Sequence, residues 1–150
     1  GGCPQELDSI GVEPLTEEFS EEYLFRLSRN RRGAVKCFLM DNAVVAGIGN
    51  IYAAETFFAA GVDPRRQTDS LTRSECGRIV CEAKRILARA IELGGSSISD
   101  FLNVDGSEGK FAQELLIYGR NGDLCLKCGT PVECVRLGGR SSCYCPHCQK

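Results

Sequence analysis

Cys125-Leu-Lys-Cys128 and Cys145-Pro-His-Cys148 are two C-x2-C pairs separated by sixteen residues. Each pair sets two thiolates on one tight knuckle, and two such knuckles complete a tetrahedron, which is the chemistry of zinc. Four protein ligands leave no open position for an activated water, so one structural zinc ion is expected and not a hydrolytic one. His147 could replace a cysteine, although four thiolates already satisfy the metal. Two disulfides or a redox C-x-x-C pair are the alternatives.

The segment between the knuckles, Thr130-Pro-Val-Glu-Cys-Val-Arg-Leu137, Gly138-Gly139 and Arg140-Ser-Ser-Cys-Tyr-Cys145, predicts two strands joined by a two-residue turn. Arg136 and Arg140 make the fingertip basic. If Leu137 faces Arg140, then Cys134 faces Cys143 at a non-hydrogen-bonded pair, where Cα atoms lie about 4.5 Å apart. These two are expected as adjacent free thiols in a reducing cell that oxidise on storage. Cys3, Cys37, Cys76 and Cys81 show no ligand spacing and fit small core or surface positions.

Upstream, the elements that must carry this ribbon are helical by period. Ser20 followed by Glu21 and Glu22 predicts a capped helix through about Ser28, with Tyr23, Leu24 and Leu27 on its apolar face. A short helix follows over Ala34 to Met40. Gly47 and Gly49 interrupt the pattern before Ile51 to Ala60 resumes it. Thr72-Arg-Ser-Glu75 predicts a capping box opening a long helix. In that helix Ile79, Val80, Ala83, Ile86, Leu87, Ala90 and Ile91 keep helical spacing up to Gly94-Gly95. Asn50 stands where the glycine-containing turn enters a helix. It can serve as a plain N-cap, or its amide and the free N–H groups beside it can hold a phosphate oxygen.

Charge and composition narrow the function. The net charge of -2 hides a sharp segregation, because residues 1–22 hold seven acids and no base, whereas 24–40 hold Arg26, Arg29, Arg31, Arg32 and Lys36 with no acid. Residues 120–150 carry five bases against two acids. Such runs form either solvated surface or a nucleic-acid footprint. A single histidine disfavours hydrolytic triads. With 43% hydrophobic and 25% charged residues and no long apolar run, neither a membrane span nor a secretory signal is expected. The chain opens on Gly1-Gly2 and has its only Met at position 40, which suggests a piece of a longer protein.

Three blocks together are more specific than any one of them: Met40-Asp-Asn-Ala-Val-Val-Ala-Gly-Ile-Gly-Asn-Ile-Tyr-Ala-Ala-Glu55, Phe111-Ala-Gln-Glu-Leu115 with Tyr118-Gly-Arg120, and the ribbon with Gly138-Gly-Arg140 and Tyr144-Cys-Pro-His-Cys-Gln149. In this order, from about Val12 to Lys150, they resemble the C-terminal part of the bacterial formamidopyrimidine-DNA glycosylase family. The resemblance implies a mainly α chain, with a helix-two-turns-helix DNA-binding domain over residues 1–119 and a small four-cysteine zinc ribbon built on a β-hairpin over 120–150. It implies damaged double-stranded DNA as partner, base excision repair of oxidised purines, strand cleavage by β,δ-elimination, and a monomer in the bacterial cytoplasm at the nucleoid.

By the same resemblance Asn50 and Arg140 contact phosphates beside the lesion, Tyr118 approaches the same backbone, and Lys36 is a basic residue of the first helix of the motif. The loop over the extruded base corresponds to Gly106 and to Ser107, Glu108, Gly109, Lys110 and Phe111, which departs from the family's commoner Gly-Lys-Pro-Gly-Tyr-Phe and leaves base preference open. The family's catalytic proline and glutamate belong to a separate N-terminal domain of the same protein. The nitrogen of Pro4 is an ordinary amide, so these residues alone are expected to bind DNA without cutting it. A zinc-ribbon module for protein or RNA assembly is the competing class.

Overall fold

The computed structural model describes residues 11–93 and 115–150. Helix α1 spans Glu21–Ser28, α2 Val35–Leu39, α3 Asn50–Ala60 and α4 Arg73–Glu92, with a 3-10 turn at Thr68–Ser70 and a hairpin of β1 Glu133–Leu137 and β2 Arg140–Tyr144. The expected mainly α body followed by a small hairpin is the observed fold.

Local chemistry explains the helix starts. Ser20 Oγ accepts from Tyr23 N at 3.2 Å to open α1. At α4 the capping box is complete: Glu75 N donates to Thr72 Oγ1 at 3.1 Å, and Thr72 N donates to Glu75 Oε1 at 2.9 Å. The α4 stripe from Ile79 to Ala90 is buried. Ile91 is not, being 48% exposed, although Ala90 beside it is 3% exposed and Leu93 packs against the core. Gly94 and Gly95 lie outside the described residues.

Helix α3 is the hub. It packs on α4 on one side and on β2 on the other. Ile51, Tyr52, Ala53 and Phe57 face the helical core, while Ala54 and Phe58 join a second cluster with Ile117 and with Cys125, Val132, Cys143 and Cys145 of the ribbon. A helix covered on all sides needs apolar residues all round, which is why α3 shows no polar stripe. Gly61 ends it in the left-handed region, φ +74°.

The hairpin is antiparallel with Leu137 opposite Arg140 and Cys134 opposite Cys143, as the sequence predicts. Gly138 and Gly139 both have positive φ, +60° and +81°, the mirror-image turn that matches strand twist. The cysteine pair departs from expectation: with Cα atoms 4.0 Å apart, Cys134 and Cys143 are joined as a disulfide and are not free thiols. The ribbon is also tied to the end of α3. Gln149, 2% exposed, donates from Nε2 to Val62 O at 2.9 Å and accepts from Cys145 N at 2.8 Å, and Lys150 N donates to Gly61 O at 3.0 Å.

Candidate nucleic-acid interface

The four ribbon cysteines converge so that all their sulfurs lie within 4.8 Å of one another. Cys125 and Cys148 Sγ are 3.9 Å apart, and Cys128 and Cys145 Sγ 3.5 Å. A zinc–sulfur tetrahedron with bonds of about 2.3 Å has edges of about 3.8 Å, so the donor set fits zinc. Each knuckle turns a backbone N–H toward a sulfur, Lys127 N to Cys125 at 3.4 Å and Cys148 N to Cys145 at 3.3 Å. His147 is exposed and outside the cluster.

A cleft of about 430 Å³ opens beside the ribbon, lined by Gly47, Ile48, Gly49, Asn50, Tyr118 and Arg140 among others. It is built around the start of α3, whose first N–H groups have no intrahelical acceptor and whose dipole places positive potential there. The N-cap is Gly49, with no side-chain cap. The N-cap role considered for Asn50 is therefore not the one it has. Asn50 is the first helical residue, its Oδ1 accepts from the Lys36 ammonium, and its Nδ2 donates to Ser141 O at 3.2 Å.

Arg140 arrives from the first position of β2, just past the Gly138-Gly139 turn, and is exposed. Its guanidinium has no hydrogen-bond or carboxylate partner among the described residues. Tyr118 comes from the connection into the ribbon, half-buried between the two apolar clusters, with its hydroxyl unpaired among the described residues.

Lys36 does not line the cleft. It is 1% exposed and lies beneath it, where burial pushes its pKa down to about 8, the Cys37 side opposing that shift and the Arg140 charge adding to it. The loop residues Ser107, Glu108, Gly109, Lys110 and Phe111 lie outside the described residues.

Glu55 holds Tyr118 in place. This carboxylate, 5% exposed on α3, accepts from Leu116 N at 2.8 Å, Ile117 N at 2.9 Å and Tyr118 N at 2.8 Å. Sequence reasoning gave Glu55 no role of its own. The available signal was a single charge inside the otherwise uncharged run Ile51 to Ala60. Ser142, which receives Lys36 Nζ at 2.6 Å, carried no comparable signal.

A family model described as the formamidopyrimidine-DNA glycosylase H2TH domain matches residues 10–102, more than half of the chain. The chain belongs to that family. A second model, the zinc finger found in FPG and IleRS, matches residues 122–150 of this glycosylase-family chain. With the four-way sulfur cluster, that identifies one structural zinc ion and removes the disulfide and redox alternatives for these four cysteines.

A formamidopyrimidine-DNA glycosylase of Pseudomonas putida is 54% identical over 141 residues, which cover 94% of this chain and 52% of that protein. One from Pseudomonas paraeruginosa is 53% identical over 144 residues, 96% of this chain and 53% of the relative. Among solved structures, the Lactococcus lactis glycosylase bound non-covalently to DNA containing an AP site superposes with a TM-score of 0.83 at 32% identity, over 98% of this chain and 52% of that one. Its complex with a FAPY-dG containing DNA gives 0.84 at 36% identity. The chain thus spans about half the length of the curated relatives it matches. No helix among the described residues is long and apolar enough to cross a membrane.

Proposed function

We propose that this chain is the DNA-gripping portion of a base excision repair glycosylase/AP lyase for oxidised purines such as 8-oxoguanine and formamidopyrimidine. Damaged duplex DNA is its partner. It works as a monomer in the cytoplasm at the nucleoid, as a helix-two-turns-helix domain over 1–119 joined to a zinc ribbon over 120–150. Base removal and β,δ-elimination belong to the part of the full-length relatives that these residues do not span. The observation that carries the reading is the convergence of Asn50, Tyr118 and Arg140 on one cleft at a helix N-terminus, with donors left unpaired by the described residues. Their relatives in Lactococcus lactis bind DNA carrying an abasic site or FAPY-dG.

Three donors from three separate segments, gathered at a helix N-terminus, suit the oxygens of a sugar-phosphate chain. Asn50 and the α3 N-terminus offer N–H groups, Arg140 a forked cation, and Tyr118 a hydroxyl. Contacts of this kind fix register without reading sequence, which suits inspection of every guanine. Zinc held by Cys125, Cys128, Cys145 and Cys148 would brace the hairpin that carries Arg140, and extrusion of the base leaves a bent backbone for these groups to hold.

Anisotropy titration of the 150-residue chain with duplex carrying an abasic analogue, competed by structured RNA, tests the reading. Preference for the abasic duplex, no nicking of it, and weaker binding by Asn50→Ala and Arg140→Ala support it. Arg140→Ala should lower the slope of log affinity against log salt by about 0.9. Preference for RNA, or binding indifferent to both substitutions, refutes it.

A further inference from the structure

Lys36 is a buried cation without a counter-ion. Its Nζ donates to Asn50 Oδ1, to Ser142 Oγ at 2.6 Å and to Ser141 O at 3.4 Å. An ammonium has three donors, and all three are engaged. Every acceptor is neutral. The charged or titratable groups that face Lys36 are Cys37 on its own helix and Arg140 on β2, and no carboxylate among the described residues pairs with it. Three neutral acceptors satisfy its hydrogen bonds but leave its charge uncompensated, so an anion brought near would be drawn to the site. The acceptor Asn50 is itself one hydrogen bond from the open cleft, so that anion belongs on the cleft side of the Asn50 amide.

We propose that Lys36 is a positioning residue that fixes and polarises the Asn50 amide toward a DNA phosphodiester, and never touches the phosphate itself; this rests on the phosphate-binding reading of the cleft. An ammonium has no acceptor, so only the carbonyl oxygen of Asn50 can face it, and the amide is locked with Nδ2 turned outward. One Nδ2 hydrogen is used by Ser141 O. The other is free for a phosphate oxygen. A full positive charge on the carbonyl side strengthens the N–H donors on the other side, as in any hydrogen-bond chain in a poorly solvated site.

The same ammonium grips Ser141 and Ser142, the two residues after Arg140, and Ser142 Oγ in turn donates to Arg140 O at 3.3 Å. Lys36 therefore couples the helix start carrying Asn50 to the strand carrying Arg140. With 1% exposure it has no path to a phosphate of its own.

The test is a double-mutant cycle on the 150-residue chain, read as affinity for the abasic-analogue duplex, with zinc content and thermal unfolding measured for each variant. Lys36→Met and Asn50→Ala should each weaken binding about tenfold to hundredfold, the loss of one charge-assisted hydrogen bond. Lys36→Met added to Asn50→Ala should cost no more than about twofold further, because its effect passes through Asn50. Losses that multiply would overturn the proposal. If Asn50→Ala alone leaves binding intact, the phosphate reading of the cleft falls instead.

Should Lys36→Met fail to fold, a pH series on the Cys37→Ser chain serves. Affinity should fall as pH rises into the range where the ammonium, its pKa already lowered by burial, loses its proton. The Cys37→Ser chain that also carries Asn50→Ala should lack that step. A step of equal size in both overturns the proposal.

Discussion

Replacing Glu55 by alanine removes the acceptor of three backbone N–H groups at once. Leu116 is 37% exposed, so water can take over its N–H, whereas Ile117 is fully buried and Tyr118 half-buried. Two hydrogen bonds to a charged group, at about 1.5–3 kcal/mol each, put the loss at about 3–6 kcal/mol. That is a large share of the 5–15 kcal/mol or so that holds a domain together, and it lowers the melting temperature by roughly 10 °C or more. Glu55→Gln keeps at most two of the bonds and turns an N–H2 group against the remaining donor, so it should fall between wild type and alanine. Thermal unfolding gives the stability, and amide hydrogen exchange at Leu116, Ile117 and Tyr118 locates it. DNA affinity should drop as well, since Tyr118 loses its anchor. A melting shift below about 2 °C with unchanged protection at these amides would refute the reasoning.

Three further outcomes are expected. Chelation of zinc should abolish the hairpin and the cluster around Phe58 and Ile117 while the helical far-ultraviolet signal persists, since metal binding in small fingers contributes on the order of 10–16 kcal/mol to folding. Glu75 has its pKa held below its ordinary 4.5, chiefly by the side-chain hydrogen bonds from Arg66, one of them 2.9 Å long. Its contribution is thus full above pH 4.5 and lost as pH falls through the lowered folded value, so the urea midpoints of wild type and Arg66→Met should converge in acid. Gly138→Ala forces a side chain onto φ +60° with its Cβ 2.9 Å from Cys37 Sγ, and should destabilise the hairpin by about 1–2 kcal/mol in urea unfolding. Adding Cys37→Ala should restore only the steric part.

What the sequence disclosed was local. The capping box needs only Thr72 and Glu75, three residues apart; the hairpin register needs only a two-glycine turn, and the knuckles only their own spacing. Asn50 and Arg140 stood out because each sits at the edge of a recognisable element. Contacts that cross the fold were not legible. Lys36 meets Ser142 across 106 residues, and Glu55 meets Ile117 across 62. No periodicity encodes which distant backbone a lone carboxylate will satisfy. Asn50 as a cap was the commoner outcome for that residue type, and lost to Gly49 because the Lys36 ammonium claims the Asn50 oxygen. Ile91 fits the α4 stripe by spacing but is exposed while Ala90 and Leu93 on either side of it meet the core. The Cys134 and Cys143 pairing followed from register, whereas their oxidation did not, since register fixes proximity and not redox state.

The most direct test of the grip on a sugar-phosphate chain is amide-shift mapping of the zinc-loaded chain as duplex with an abasic analogue is added. Shifts concentrated at Gly47 to Ile51, at Tyr118 and at Gly138 to Ser142 are the expected result. Shifts confined to the outer face of α4, or an unchanged Asn50 side-chain amide at saturating DNA, would contradict it.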